Sequence, residues 1–402
     1  MWRAVSVAAR NPSGASRAWW LLAAMASPSP PPPPRVVRLG ERDVAFPSAE
    51  LAQIEDSSAL LDLADGGAAL RARLARDGFL FLRGALGRAP VLAARAVVLR
   101  HLRAKGDVLA PEDEAAAAAA EAEAETAAAS ASASESKVAA PGGAAAGAAA
   151  EPPQLLLEAC NLGCLPMMEG VNSVTHAPAT LAVLDGAPLR RAVGLALGTA
   201  PEALATFDYK WLRAVGRRTF TGCHCDSVYM ARGSPALMTA WIPLEPRASL
   251  ELGALAMCRG SHDLPGLARV RATYAAFDTE AEPGFEGSGW LTSDPFDVTR
   301  REPAAQWVAG DYEAGDVILF QMRTLHMSTA NLTERVRISC DVRFQPAAEP
   351  IDERYMGSME EMKAKAALRK KGGAWASDGK DAAAADVVTM ADLRKRWGLD
   401  EP

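Results

Sequence analysis

Two histidines and one aspartate are the residues here whose types and spacing suit a metal. Thr221-Gly222-Cys223-His224-Cys225-Asp226 sets His224 two residues before Asp226, and His326 follows the apolar run Val317 to Phe320 about a hundred residues on. Side chains on a strand alternate between faces. If 219–229 is extended, His224 and Asp226 therefore look one way while Cys223 and Cys225 look the other. With His326 as the second imidazole, the set is two histidines and a carboxylate on one face of a metal. That is the facial triad of non-haem Fe(II) oxygenases, which leaves positions open for other ligands.

The chain has only five histidines, at 101, 176, 224, 262 and 326. His101 falls on a predicted helix and His176 in a loop before Pro178, so neither carries a second signal. His326 does, because Arg337 follows it eleven residues later inside the alternating strand Arg335 to Gln345. An exposed arginine pair is worth about 0–1 kcal/mol. A buried guanidinium is costly without a partner, and a carboxylate gripped by its planar fork is the partner of matching shape. Ser339 shares the face of Arg337 and adds a hydroxyl. Arg335 and Arg343 are of the same type, and alternation alone leaves the choice among the three open.

The elements that must position these groups are mostly short strands. Ala68 to Ala75 reads as a helix stopped at Asp77-Gly78, and Phe79 to Leu82 as an apolar strand closed by Gly84. A helix follows Pro90, and another covers Leu189 to Leu197 after Pro188. Beyond Pro201 the pattern turns to strands: Phe207 to Val215, Arg217 to Thr221, Leu237 to Leu244, Leu255 to Cys258 and Val317 to Phe320. In the last and clearest strand, Val336, Ile338, Cys340, Val342 and Phe344 alternate with Arg337, Ser339, Asp341 and Arg343. A further amphipathic helix is expected near Met390 to Trp397.

At the flanks the composition changes. Residues 27–34 are a serine and proline run. The stretch at about 104–152 is Ala, Glu and Ser with almost no large apolar residue, so it cannot bury a core. The expected organisation is a targeting or disordered leader over 1–45, one domain over 46–350 carrying that insertion, and a charged extension over 351–402. Helices first and many short strands after suit a mainly β fold with flanking helices, a double-sheet jelly roll whose interior can hold a metal.

Composition excludes several function classes. A formal net charge of -6 points to neither nucleic acid nor an anionic membrane surface. No apolar run reaches the eighteen or so residues of a membrane span. Six cysteines, at 160, 164, 223, 225, 258 and 340, form neither a CxxC knuckle nor a small disulfide framework. Arg3, Arg10 and Arg17 precede the first acidic residue, Glu41, as in an organellar transit peptide. A secretory signal ending at Ala24-Met25-Ala26, or a start at Met25, fits the same residues, so an organelle and the cytoplasm both stay open.

In order and spacing, Thr221 to Asp226, Thr239-Ala240-Trp241-Ile242-Pro243, Gly253 to His262 and His326-Met327-Ser328 through Asn331 to Arg337 resemble the phytanoyl-CoA dioxygenase family. The resemblance covers roughly 70–350. It implies a double-stranded β-helix (jelly roll, cupin-like), Fe(II), and 2-oxoglutarate as cosubstrate, with ascorbate as an auxiliary reductant. His224, Asp226 and His326 would be the iron ligands. Arg337 would hold the distal carboxylate of 2-oxoglutarate with Ser339, and Trp241 and Arg213 would line the cosubstrate pocket. His262, in Gly-Ser-His, would be a turn residue. The implied reaction is hydroxylation of a small organic substrate by molecular oxygen, coupled to conversion of 2-oxoglutarate to succinate and carbon dioxide. Two other readings fit parts of the pattern. One is a non-catalytic jelly roll that holds metal for sensing or assembly. The other is a zinc site using Cys223, His224 and Cys225, with Cys160 and Cys164.

Overall fold

The computed structural model of the chain describes residues 35–104, 174–333, 335–358, 360–362, 364 and 387–400. Residues 1–34, the insertion from 105 onward, and Cys160 and Cys164 lie outside the described residues. The strands are β1 (Arg35–Leu39), β2 (Arg42–Phe46), β3 (Leu51–Gln53), β4 (Phe79–Leu82), β5 (Leu204–Thr206), β6 (Trp211–Val215) and β7 (Met238–Pro243). They continue with β8 (Arg247–Ala248), β9 (Leu255–Arg259), β10 (Gln306–Ala309), β11 (Tyr312–Glu313), β12 (Val317–Gln321), β13 (His326–Ser328) and β14 (Arg337–Pro346). The major sheet runs β4-β12-β7-β14-β5, with β6 also paired to β14. The minor sheet runs β13-β9-β10-β3. The fold is mainly β with flanking helices, a jelly roll as expected from the sequence.

The period of two decides which side each residue serves. In β4, Phe79 and Phe81 join the apolar cluster between the sheets, while Leu80 and Leu82 join the one under the helices. In β7, Trp241 faces inward, and Met238, Ala240 and Ile242 face the helices. The outer cluster takes Leu70 and Leu74 from helix Ala68–Asp77, Val91 and Val98 from helix Arg88–Ala104, and Leu189 and Val193 from helix Ala187–Leu197. Both faces of the major sheet are thus covered, and β4 and β12 read as continuous apolar runs, while β14 alternates because its inner face is polar.

Order begins earlier than the sequence reading placed it. Instead of starting near Phe46, the chain forms the β1–β2 hairpin from Arg35. Val37, Leu39, Val44 and Phe46 alternate along it and are buried in the inter-sheet cluster. Gly40 makes the turn: its φ is +57°, and a Cβ there would lie 2.2 Å from the Ser293 carbonyl oxygen. At the other end, helix Met390–Arg396 forms where it was expected and starts with a capping box of Thr389 and Asp392. Its Leu393, and Leu399 beyond it, enter the same inter-sheet cluster, so this part of the charged extension packs on the domain.

Three strand expectations change. Residues 217–221 form no strand, Phe207 to Val215 is extended only in β6, and β14 starts at Arg337 instead of Arg335. The hairpin generates the first prediction. Leu39 is 1% exposed, and Leu39→Ala should cost about 2–5 kcal/mol in urea unfolding with an unchanged m value; a loss under about 0.5 kcal/mol would detach the hairpin from the core.

Candidate metal centre

His224 and His326 meet through their backbones. The His224 N–H donates to the His326 carbonyl at 2.9 Å, and the His326 N–H donates to the His224 carbonyl at 2.9 Å. Residues paired this way on antiparallel segments sit directly opposite, with side chains on one face. The two imidazole centroids are 4.1 Å apart. His326 lies on β13, whose partner β9 anchors it to the minor sheet.

The segment around His224 is not extended over 219–229, as the alternation argument assumed. Extension ends at Cys225, because Asp226 takes helical angles (φ -68°, ψ -22°) and opens a one-turn helix, Ser227–Met230. The Asp226 side chain does not cap that helix, being engaged by Thr239 and Arg343 instead. The facing survives the correction: His224 and Asp226 share a side, and Cys223 and Cys225 are buried in the inter-sheet apolar cluster. Burial pushes the Cys225 thiol up to about 12 and that of Cys223 well above its ordinary value. Among the described residues, the ligand group that converges is His224, Asp226 and His326, with no cysteine in it.

Each imidazole has a settled tautomer. Nδ1 of His224 lies 2.8 Å from the Gly222 carbonyl, and Nδ1 of His326 lies 3.0 Å from the Thr324 carbonyl. A carbonyl only accepts, so both Nδ1 atoms carry the proton and both Nε2 atoms present lone pairs. Those Nε2 atoms lie 3.8 Å and 3.7 Å from Asp226 Oδ1, too far to share a proton. The other aspartate oxygen, Oδ2, accepts from Thr239 Oγ1 at 2.5 Å and from Arg343 Nη2 at 2.9 Å.

Charge follows from burial. Desolvation, with the His326 imidazole beside it, pulls His224 down to about 3, and desolvation also lowers His326. Burial alone would raise Asp226, but the Arg343 guanidinium, with the Thr239 hydroxyl, holds it well below the carboxylate range. Neutral imidazoles and an ionised carboxylate are the forms that bind a metal. The donor set, two nitrogens and one oxygen on one side, fits a divalent non-haem iron with open positions.

The charged face of the last strand points inward. Arg337, Ser339, Asp341 and Arg343 are all 7% exposed or less. One cavity is lined by His224, His326, Trp241 and Arg337, with Arg213 and Asp341 at its wall. Arg337 donates through Nη1 to Ser339 Oγ, and its guanidinium sits 5.7 Å from the Trp241 ring centroid. Arg213 Nε donates to Asp341 Oδ2 at 3.1 Å. Strand pairing arranges these contacts: Ser339 lies opposite Arg213, and Asp341 opposite Trp241. Of the seven residues singled out in the sequence, Arg213, His224, Trp241, His326 and Arg337 line this cavity, Asp226 meets the two histidines, and Ser339 meets Arg337.

The structure also separates the competing arginines. Arg335 precedes the strand, Arg343 turns to Asp226, and Arg337 lines the cavity. His262 stands apart, with Nε2 3.0 Å from the Ala75 carbonyl in the turn after Gly260. Sequence reasoning missed Thr239 and the work of Arg343 at Asp226. Their signal was the register that sets Arg343 opposite Thr239, which no single strand reveals.

Residues 196–339 match the family model described as phytanoyl-CoA dioxygenase (PhyH), a span that includes the three ligand candidates, Trp241, Arg337 and Ser339. A search of curated proteins gave no match. Among solved structures, the non-heme alpha ketoglutarate dependent carbocyclase SnoK from nogalamycin biosynthesis is 16% identical, with 78% of this chain and 94% of that one covered and a TM-score of 0.43. EvdO2 from Micromonospora carbonacea var. aurantiaca, complexed with 2-oxoglutarate, is 17% identical, covering 72% and 96%, with a TM-score of 0.38.

Burial of two neutral imidazoles makes metal-free stability depend on pH. Below about 6.5 the unfolded chain binds protons that the folded site refuses, so stability falls with pH, by up to about 1.4 kcal/mol per unit for each imidazole. Urea unfolding in chelator should therefore give a lower midpoint at pH 5.0 than at 7.5, and His224→Leu should flatten that slope by one proton. A slope unchanged in the variant would mean that His224 is protonated in the folded state.

Proposed function

We propose that this chain, whose residues 196–339 match the phytanoyl-CoA dioxygenase family model, is an Fe(II)- and 2-oxoglutarate-dependent dioxygenase of that family. In this reading it hydroxylates a small organic substrate and releases succinate and carbon dioxide. The observation that carries the proposal is the convergence of His224, Asp226 and His326 on one another, beside a cavity that both histidines and Arg337 line.

In this role Nε2 of His224, Oδ1 of Asp226 and Nε2 of His326 hold the iron. Bound there with 2-oxoglutarate, iron supplies the activation of molecular oxygen that no side chain can perform. Arg337, with Ser339, grips the distal carboxylate of the cosubstrate by charge-assisted hydrogen bonds. Trp241 walls that pocket and packs against the guanidinium, and Arg213 contributes from the neighbouring strand. Phe320 and Leu255 give the cavity apolar walls, which keep bulk water from the reacting groups. The catalytic unit is the domain of 46–350 together with the β1–β2 hairpin.

Anaerobic addition of Fe(II) and then 2-oxoglutarate should produce the visible charge-transfer band of a chelated iron–oxoacid complex. His224→Ala should abolish it. Arg337→Ala should leave iron binding intact and weaken 2-oxoglutarate roughly 10- to 100-fold, the equivalent of about 1.5–3 kcal/mol for charged hydrogen bonds. Iron binding without the band in the wild type would favour a sensing or structural jelly roll. Normal cosubstrate affinity in Arg337→Ala would remove Arg337 from the site.

A further inference from the structure

The two oxygens of Asp226 live in different surroundings. Oδ2 receives both protein donors, the Thr239 hydroxyl at 2.5 Å and Arg343 Nη2 at 2.9 Å. Oδ1 is the atom nearest the two imidazole Nε2 atoms, at 3.8 Å and 3.7 Å. Arg343 is itself held firmly. It is 2% exposed, its guanidinium carbon lies 4.1 Å from the Trp211 ring centroid, and Nη1 lies 3.8 Å from Asp341 Oδ2. Register places it directly across from Thr239 on β7, so the two donors approach Oδ2 from adjacent strands.

We infer that Arg343, with Thr239, is a positioning residue that restricts Asp226 to one metal-facing oxygen. The inference rests on the proposed iron site. A carboxylate can bind a metal through one oxygen or both. Here the lone pairs of Oδ2 are committed to a buried guanidinium and a hydroxyl, so swinging Oδ2 toward a metal would break two hydrogen bonds and leave the buried guanidinium with only Asp341, 3.8 Å away. Asp226 is thereby kept to a single coordination position. A cosubstrate that chelates through a 2-oxo acid needs two positions, and a carboxylate free to bind through both oxygens would take one of them. Arg343 so acts on cosubstrate binding through Asp226, without touching the cosubstrate. Lysine at this position would keep the charge but not the planar fork stacked on Trp211.

The test measures 2-oxoglutarate affinity at saturating Fe(II), anaerobically, from the charge-transfer band of the full chain. Mn(II) binding read by electron paramagnetic resonance serves as a separate measure of metal affinity. Arg343→Gln should weaken 2-oxoglutarate tenfold or more at metal saturation, and Arg343→Lys should not restore it. Thr239→Val removes one donor and leaves the ion pair, so it covers the case in which Arg343 variants fail to fold; a loss in the same direction, several-fold, is expected. Wild-type affinity in both Thr239→Val and a folded Arg343→Gln overturns the inference while leaving the iron site standing. Full rescue by Arg343→Lys also overturns it, because charge alone would then suffice. A wild-type protein that binds neither Mn(II) nor Fe(II) overturns the site and this inference together, which sets that failure apart from the others.

Discussion

The site depends on one pair of backbone hydrogen bonds, those exchanged between His224 and His326. Neither histidine lies near the other in sequence, and neither sits in the middle of a long strand. The reciprocal N–H to carbonyl bonds, each 2.9 Å, set their Cα atoms opposite each other, so both imidazoles leave the same face. A side-chain contact could drift by an ångström with a rotamer change. A backbone pair anchored on one side by the minor sheet cannot, and a metal site tolerates little drift. The carbonyls of Gly222 and Thr324 then complete the arrangement by fixing which nitrogen of each ring carries hydrogen.

Around that pair, the protein buries an unusual amount of charge. Lysines and arginines are seldom fully buried unless paired, yet Arg337 and Arg343 are each 2% exposed. The cost is offset locally. Arg343 pairs with Asp226 and stacks on Trp211, and Arg337 meets Ser339 and lies over Trp241. Both aromatic partners come from strands adjacent to β14, so the sheet that carries the arginines also supplies the faces that accept them. The ion pair is a structural cost that an apolar replacement would avoid, which is why its placement on a single carboxylate oxygen reads as a functional arrangement.

Covering the major sheet on both faces gives the cavity a stiff wall. Helices close the outer side through Leu70, Val91 and Leu189, and the minor sheet closes the inner side through Ala256, Met257 and Trp307. The β1–β2 hairpin and the C-terminal helix add Leu39 and Leu393 to the same inner cluster. Segments that composition assigned to the flanks therefore support the core that the ligands stand on.

Much of this was legible in the sequence. Periodicity gave β4, β7, β9, β12 and the helices Ala68–Asp77 and Ala187–Leu197 nearly to the residue, because apolar runs bounded by glycine and proline have few alternatives. Residue type and short spacing, joined to a family resemblance, gave His224, Asp226, His326 and Arg337. The hairpin from Arg35 was not legible because its strands are short and the core that buries Val37, Leu39, Val44 and Phe46 is built from segments far along the chain. The sequence by itself determined which side chains could share a face, since alternation depends only on position along a strand. Only the tertiary structure decided that the charged face of β14 points into the protein, that Arg343 goes to Asp226 while Arg337 lines the cavity, and that Thr239 stands opposite Arg343. Those facts follow from strand register and sheet stacking, which are set by pairings between distant segments and leave no local mark on either one.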